Sequence, residues 1–421
     1  MLNGLQSAFK IGELRNKLLF TLAMLFVFRL GAHIPVPGVN PSVIADLIKS
    51  GALFGFFDVI SGGAFKNFSI LAMSITPYIN ASIIMQLLTV VIPHLEKLAK
   101  EGEEGRRKIT QITRYTTAVL AFIQGIGMVF ALRNKGILLH PNVTSYLTVA
   151  ISLTAGTVFL MWLGEQITEK GIGNGISLLI FAGIVSRVPA GIVNIVQYFK
   201  TGTINIFSVL GLIIIGAAVI AAIVAVQEGQ RRIPVQYAKR VVGRRVYGGQ
   251  TTHIPLKVNQ AGVIPVIFAS SILLFPQTVA GWFAGHAVAD WFLSVFTWGS
   301  FLHTVFYALL VIGFTYFYTA VIMNPIDIAD NIKKYGGFIP GLRPGRPTAE
   351  YIGRVMSRVT LAGAVFLAII AILPNFVLLA TRIPNIYFGG TALLIVVGVA
   401  LDTMKQVESH LLMRSYQGFI K

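Results

Sequence analysis

The feature that most constrains this chain is a series of long apolar stretches that recurs along its whole length. A helix needs about 20 largely apolar residues to cross the hydrocarbon core of a bilayer. Ten such stretches occur, at residues 18–33, 71–92, 114–132, 145–164, 175–194, 205–226, 260–280, 302–323, 355–373 and 387–404. Charged residues make up only 12% of the chain, against about 25% in soluble domains. The sequence therefore predicts an all-α membrane protein with ten transmembrane helices.

The N-terminal segment has the charge pattern of a secretory signal peptide, because Lys10, Arg15 and Lys17 precede an apolar run. A cleavage site of the small-x-small type does not follow that run, and Arg29 with the motif HIPVPG comes next. We therefore expect an uncleaved first span. The chain contains no cysteine, so disulfide bonds and thiolate chemistry are excluded.

The basic residues are distributed unevenly between the two sides of the predicted membrane. If ten spans alternate in direction, 26 of the 34 lysines and arginines fall on the side that holds both termini. Basic loops stay in the cytoplasm, so both termini are expected there. The loops at 227–259 and 324–354 are more basic than orientation requires. Such loops attract anionic lipid, RNA or an acidic protein surface.

The spans divide into two sets of five, residues 1–200 and 201–421. An odd number of spans in each half makes the second half enter the membrane with the opposite orientation. This is the arithmetic of an inverted repeat, and in such folds the functional site lies at the interface of the halves, near the midplane. The prediction rests on topology, because the halves share no convincing sequence identity.

Residues 52–70 are apolar but interrupted by charged residues and glycines, so they are too short and too polar to span. Backbone that does not span is tolerated at membrane depth only inside protein or a water-filled cavity. The segment either lies on the outer surface as an amphipathic helix or folds back into a cavity. The sequence of this segment by itself leaves both alternatives open.

The two basic loops contain residues that are typical of turns. In VVGRRVYGG, β-favouring pairs flank Gly243, which predicts a hairpin that displays Arg244 and Arg245 at its tip. In the stretch 336–347, glycines and prolines predict a stiff irregular loop around Arg343.

Side chains for catalysis are poorly represented. The seven histidines are scattered, and GIGNG follows a span rather than a strand, so neither a metal site nor a nucleotide site is predicted. All sixteen acidic residues lie in loops, at span ends or in the 52–70 segment. Coupled transporters usually keep a carboxylate near the midplane. We therefore expect a protein without enzymatic activity, cofactor or metal. A secondary transporter with inverted repeats is the alternative function, although the spans do not contain the carboxylate that such a transporter usually has.

Two sets of residues inside the spans stand out. Asn80 and Gln86 on span 2, with Asn259 and Gln260 at the start of span 7, are either ordinary interhelical hydrogen-bonding groups or one polar seam. Isoleucines recur every four residues along one face of span 2. They are either packing residues or part of a hydrophobic pore constriction.

Several long motifs occur in order along the chain. They read FRLGAHIPVPG at 28–38, SGGAFKNFSI at 61–70, TPYINASIIMQLL at 76–88, EGRRKITQITRY at 104–115, MWLGEQITEKGIGNGIS at 161–177, QRRIPVQYAKR at 230–240, THIPLKVNQAGVIP at 252–265, FIPGLRPG at 338–345 and FGGTALLIVV at 388–397. With these motifs the chain resembles the SecY family of bacterial protein-conducting channels.

The resemblance implies an hourglass pore between two inverted five-helix halves, with a short re-entrant plug helix at about 54–69 that carries Asp58, Ser61, Gly62, Gly63, Phe65, Lys66 and Asn67. The implied pore ring is Ile75, Ile79, Ile176, Ile180, Ile267 and Ile395. Spans 2 and 7 would form a lateral gate at Asn80, Gln86, Asn259 and Gln260. Arg244, Arg245 and Arg343 would bind partners. The family's plug sequences vary widely, which leaves the plug boundaries open.

The resemblance also implies function and partners. The chain would pass unfolded secretory polypeptides across the plasma (inner) membrane and release membrane segments sideways into lipid. The implied partners are the SecE and SecG subunits, the SecA ATPase, the ribosome through its RNA, signal sequences and membrane lipids. The motor or the ribosome, and not this chain, would supply the energy.

Overall fold

The fold is described by a computed structural model that covers residues 11–40, 43–44, 58, 61–132, 136–202, 204–237, 240–242, 245–247, 251–283, 286–296, 300–381 and 390–418. Within these residues the helices are α1 (Gly12–Gly31), α2 (Thr76–Val91), α3 (Pro93–Lys100), α4 (Glu103–Leu132), α5 (Val143–Lys170), α6 (Gly175–Lys200), α7 (Ile206–Glu228), α8 (Ile264–Trp282), α9 (Ala287–Val295), α10 (Phe301–Ile322), α11 (Pro325–Lys334), α12 (Arg346–Thr381) and α13 (Gly390–Gly418). The strands are β1 (Gln230–Tyr237), β2 (Arg240–Val242), β3 (Arg245–Tyr247), β4 (Thr251–Lys257) and β5 (Gly337–Phe338).

Each predicted span overlaps one helix, namely α1, α2, α4, α5, α6, α7, α8, α10, α12 and α13. Six of the described helices are long and apolar enough to cross a membrane by themselves, and the bent pair α2–α3 would make a seventh. The prediction of a helical, multi-pass membrane protein is confirmed. The helix α2 begins five residues later than its predicted span, because residues 71–75 form turns.

Local sequence explains where several helices begin and end. The side chain of Asn174 accepts a hydrogen bond from the Ser177 amide at 3.1 Å and caps α6. Asn324 caps α11 in the same way, with Pro325 in the first helical position. Pro93 follows the end of α2, and the chain bends there by 99° into α3.

The largest hydrophobic cluster lies where the long helices meet. Buried residues from α1, α2, α5, α6, α7, α8, α10, α12 and α13 belong to it. A second cluster combines Val36 and Val39 with residues of the plug segment, α4 and α5. Nine of the ten spans therefore share one apolar centre, which is the region where the interface between the two predicted halves is expected.

The two basic loops join in one three-stranded sheet of order β4-β1-β5, which the sequence did not predict. The strands β1 and β4 run antiparallel, from Gln230 opposite Lys257 to Gln236 opposite Thr251. Gln236 also pairs with Phe338 of β5. Ile233 and Val235 alternate with exposed residues and pack on Ile332 and neighbouring residues of the second loop. The loops 227–259 and 324–354 thus form one folded unit.

The predicted hairpin is confirmed, although Arg245, expected at its tip, is the first residue of β3. The strands β2 and β3 pair antiparallel, with Val242 opposite Arg245, so two residues connect them. Arg244 is one of these and lies outside the described residues.

Candidate pore, plug and gate

The six isoleucines of the expected pore ring all belong to the largest hydrophobic cluster. Ile75, Ile79, Ile180 and Ile395 are buried members of this cluster, and Ile176 and Ile267 pack against the cluster with partly exposed side chains. They come from four chain segments that are far apart in sequence. The structure therefore brings together residues that the sequence could associate only through the family resemblance.

The positions of these isoleucines repeat between the two halves. Ile79 is the fourth residue of α2, and Ile267 is the fourth residue of α8. Ile180 and Ile395 are each the sixth residue in α6 and in the described part of α13. These are spans 2 and 7 and spans 5 and 10, which the inverted repeat would relate. Equal offsets are consistent with that repeat, which remains a prediction.

The plug segment folds back into the protein instead of lying on its surface. Ser61, Ala64, Phe65 and Phe68 are each at most 1% exposed. Ala64 packs in the same cluster as the isoleucines, whereas Phe65 and Phe68 pack in the second cluster. The described part of this segment thus lies between the two clusters.

Residues 61–68 of the plug segment form turns and not the expected helix, whereas Asp58 is helical and the rest of 54–60 lies outside the described residues. Gly62 and Gly63 have φ angles of 66° and 90°, values that an α-helix does not contain and that glycine adopts without steric cost. A Cβ atom on Gly62 would approach the Cα atom of Gly183 in α6 to 2.8 Å. The backbone of the plug segment therefore contacts α6 closely enough to require glycine.

Polar contacts fix the plug segment to α1 and α6. The Arg29 guanidinium donates to the Gly62 carbonyl at 2.6 Å and to the Ser186 hydroxyl at 3.3 Å. Asp58 pairs with Arg187 and also accepts a hydrogen bond from the Lys66 amide at 2.8 Å. Sequence reasoning did not single out Arg29, Ser186 or Arg187. The signal was present, because an arginine inside an apolar span is costly unless it has a partner.

The expected gate helices α2 and α8 pack directly against each other, and α8 also contacts α4. Asn80 and Gln86 lie on α2 and are partly buried. Asn259 and Gln260 lie in the turn that precedes α8, because the helix begins at Ile264 and not at residue 260.

The hydrogen bonds that the structure describes for Asn259 and Gln260 join them to residues three positions away in the sequence. Asn259 is 4% exposed and donates to the Gly262 carbonyl at 2.9 Å. Gln260 accepts from the Lys257 amide at 3.2 Å. A hydrogen-bonded seam between these two residues and α2 therefore stays a prediction, because the bonds described here join neighbours along the chain.

Of the expected partner-binding arginines, Arg245 and Arg343 belong to the described residues and Arg244 does not. Arg343 is exposed in the turn between β5 and α12, where Gly341 and Gly345 have positive φ. Its carbonyl accepts a hydrogen bond from the Thr348 hydroxyl at 2.8 Å, which holds the turn. Arg245 lies in β3. Among the described residues, His, Asp and Glu form no group of three that could hold a metal.

Comparison with known proteins gives a consistent result. The model of the family SecY matches residues 69–404. A protein translocase subunit SecY of Halalkalibacterium halodurans is 52% identical, with 100% of both chains covered. The Escherichia coli subunit of the same name is 49% identical over 98% of this chain and 95% of its own. The Thermotoga maritima subunit is 48% identical over 100% of this chain and 98% of its own.

Solved structures share the fold at low sequence identity. A structure described as that of a protein conducting channel covers 94% of this chain and 92% of its own, with a TM-score of 0.68 and 21% identity. Sec61 in a canine ribosome-channel complex from the endoplasmic reticulum aligns over 94% and 92%, with a TM-score of 0.64 and 19% identity.

Proposed function

The chain belongs to the SecY family of protein translocase subunits, and from this we propose that it passes unfolded polypeptides across the plasma membrane and releases apolar segments sideways into lipid. It is a multi-pass membrane protein and the subunit that forms a protein-conducting channel. The observation that carries the detailed proposal is the meeting of six isoleucines from four segments in one apolar cluster, beside a buried plug segment.

The proposed mechanism is mechanical. Flexible apolar side chains at a narrow neck exclude water, and they can close around an extended chain of varying width. The six isoleucines would act in this way while the plug segment moves out of the path. Membrane segments would leave between α2 and α8, which are in contact along the expected gate. This chain makes and breaks no bond in this scheme.

Partners would supply the energy and complete the assembly. We propose SecE and SecG as the companion subunits, and SecA or the ribosome as the partner at the cytoplasmic face. The basic excess of the two loops supports such partners, since 227–259 has seven basic residues and one acidic residue, and 324–354 has five basic residues and three acidic ones. Both termini would lie in the cytoplasm according to the distribution of basic residues.

Reconstitution tests the function. The purified chain with SecE, in liposomes, should move a preprotein to a protease-protected interior only when SecA and ATP are present. A solute gradient that drives uptake of a small molecule, without any preprotein movement, would instead identify a secondary transporter. Failure of translocation under all these conditions, with the assembled complex verified by size-exclusion chromatography, would contradict the proposal.

We expect Gln86→Leu to shift the hydrophobicity that a signal sequence needs for export. The proposed seam would give Gln86 an interhelical amide hydrogen bond, which in a membrane is worth about 0.6–2 kcal/mol, so its loss would change the gate equilibrium by a few-fold to tens-fold. The measurement is export of a preprotein series with graded signal hydrophobicity. Asn259→Leu is the second variant. Because the Asn259 side chain donates to the Gly262 carbonyl, this variant also tests whether the turn before α8 affects the signal threshold. If both variants need the same signal hydrophobicity as wild type, Gln86 and Asn259 have no role in the gate.

We expect Arg343→Glu to weaken binding of SecA or ribosomes, because arginine suits bidentate contact with carboxylate or phosphate. The loss should be about tenfold at low salt and smaller as salt screens the contact. Lys334→Glu is the matched control, since Lys334 is an exposed basic residue of the same loop. An equal loss in both variants would indicate a diffuse charge effect. Arg244 and Arg245 are the corresponding sites of the first loop, and their reversal should have the same direction.

A further inference from the structure

A short helix at the end of the molecule remote from the sheet takes no part in the proposed function. This helix, α9, lies between α8 and α10 in the sequence. Because β4 precedes α8 and β5 follows α10, α9 lies between the ends of these two helices that point away from the sheet. Its nine residues extend about 13 Å, so α9 is too short to cross a bilayer.

Aromatic rings join the end of α9 to the side of α10. The Phe292 and Phe296 rings stack with their centroids 4.6 Å apart, and the Phe296 and Phe306 centroids are 5.6 Å apart. With 22 residues, α10 is about 33 Å long and matches the apolar layer of a bilayer, which is about 30 Å thick. Phe306 is the sixth residue of α10, so it lies about 7.5 Å from the first one, inside that layer. The end of α9 therefore lies at the depth of the membrane and not in the water beyond it.

A hydrogen bond joins the same end of α9 to α8. The Gln277 side chain is 4% exposed and donates to the Phe296 carbonyl at 2.8 Å. Phe296 is the residue that directly follows α9. A buried amide is costly without a partner, so this bond stabilises the position of α9 against α8. Stacked rings from one side and a polar bond from the other thus hold α9 in place.

The exposed surface of α9 is apolar along one edge and polar along the other. Val288 is 79% exposed and Trp291 is 63% exposed, whereas Ala289 is buried and marks the side that faces the protein. Asp290 and Ser294 are exposed as well. Asp290 follows Val288 by two positions, which places the two side chains on nearly opposite sides of a helix. Trp291 lies between these two edges.

The exposed face of α10 shows what surrounds the apolar edge. Leu302, Phe306 and Leu309 recur at helical spacing and are 41%, 45% and 60% exposed. In a helix that spans a membrane, such a face contacts lipid. Phe296 packs on Phe306 of this face, so the lipid-facing surface of α10 continues onto α9. Tryptophan is enriched at the level of lipid headgroups, because one end of its ring system is apolar and the other is polar.

We propose that α9 is an interfacial helix that binds the boundary between the headgroups and the hydrocarbon, in the leaflet remote from the sheet. Val288 and Trp291 enter this boundary, while Asp290 and Ser294 stay in contact with water. Through the bond from Gln277, α9 also fixes the depth of the adjoining end of α8. The inference requires a protein that spans a membrane, and it holds whether or not the chain moves polypeptides.

The first test uses tryptophan fluorescence. The chain has four tryptophans, and Trp162→Phe, Trp282→Phe and Trp298→Phe together leave Trp291 as the single emitter. The purified protein, with the subunits that copurify with it, is placed in liposomes whose acyl chains carry bromine near the headgroup. Trp291 should lose most of its emission in these liposomes, because bromine quenches only on contact. Iodide in the water should change the emission little.

Two matched variants calibrate the quenching. A protein with Trp162 alone has its emitter on α5, within a predicted span and 48% exposed, and should respond to the brominated lipid. Tyr335→Trp in a protein without its four tryptophans places the emitter in the basic loop 324–354, where the replaced side chain is 70% exposed, and should respond to iodide. If Trp291 behaves like the Tyr335→Trp variant, α9 faces water and the proposal is overturned. Protection from both quenchers would show that another protein surface covers α9, which also overturns it.

The second test compares the two edges of α9 by cysteine labelling. The chain has no cysteine, so Val288→Cys and Asp290→Cys each carry a single thiol. In liposomes, Val288→Cys should react about tenfold more slowly than Asp290→Cys with a charged maleimide, because a charged reagent is excluded from apolar surroundings. Rates are compared only for variants that elute like wild type in size-exclusion chromatography, which separates this result from a folding defect. Equal rates, or faster labelling of Val288→Cys, would contradict the proposal and leave the proposed function untouched.

Discussion

Replacing Ile79, Ile180 and Ile267 together with serine should make the channel leak ions while a polypeptide passes through it. These residues come from α2, α6 and α8 and belong to one apolar cluster. A hydroxyl group at a narrow neck gives water a hydrogen-bonding partner, so the barrier to wetting falls. We expect the leak during translocation to increase by about an order of magnitude. The measurement is the ion flux of proteoliposomes during ATP-driven translocation.

Two control variants separate a seal from a packing role. Valine at the same three positions keeps the wall apolar and branched, so it should leak nearly as little as wild type. Serine at Ile83, Ile184 and Ile370 changes three buried residues of the same cluster outside the proposed ring. That variant should lower the yield of assembled channel more than it raises the leak. If it leaks as much as the ring variant, the ring has no special role.

Deletion of residues 58–68 should leave an assembled channel that conducts ions at rest. The deletion removes Phe65 and Phe68 from the second cluster and removes Asp58 from Arg187. The helix α2 begins only at Thr76 and packs on other helices, so we expect it to form without the deleted residues. In the expected pore, Arg29 and Arg187 would then face water, where a charge costs little. Conductance without a preprotein in planar bilayers is the measurement.

The deletion should have a larger effect than Asp58→Asn, because it removes the packed side chains as well as the charge. The order wild type, then Asp58→Asn, then deletion is therefore expected for resting conductance. A deletion variant that assembles and conducts like wild type would show that the segment does not close the pore. A variant that fails to assemble with SecE would instead show a structural role.

The sequence by itself determined the class of the molecule and the course of its chain. Hydropathy is a property of each stretch taken alone, and a bilayer admits only helices that satisfy their own backbone hydrogen bonds. The ten predicted spans, each of which overlaps one described helix, could therefore be identified before any contact was known. The hairpin of β2 and β3 was equally visible, because a two-residue turn and its flanking residues are local in sequence.

Contacts between distant residues were decided only by the tertiary structure. The position of the plug segment could not be chosen from its composition, since burial depends on the clusters formed by α1, α4, α5 and α6 around it. The pairing of Asp58 with Arg187 joins residues that are far apart in sequence and carries no periodic signal.

The sheet and the start of α8 illustrate the same limit. The strand β5 pairs with β1 across more than a hundred residues, and nothing local in either strand identifies the other. Asn259 and Gln260 were expected at the start of span 7, but they precede a turn at Gly262, whose φ is 63°, and α8 begins only at Ile264. Local patterns specify which residues enter the membrane, whereas the choice of partners depends on packing and on the pairing of buried charges, which only the folded chain defines.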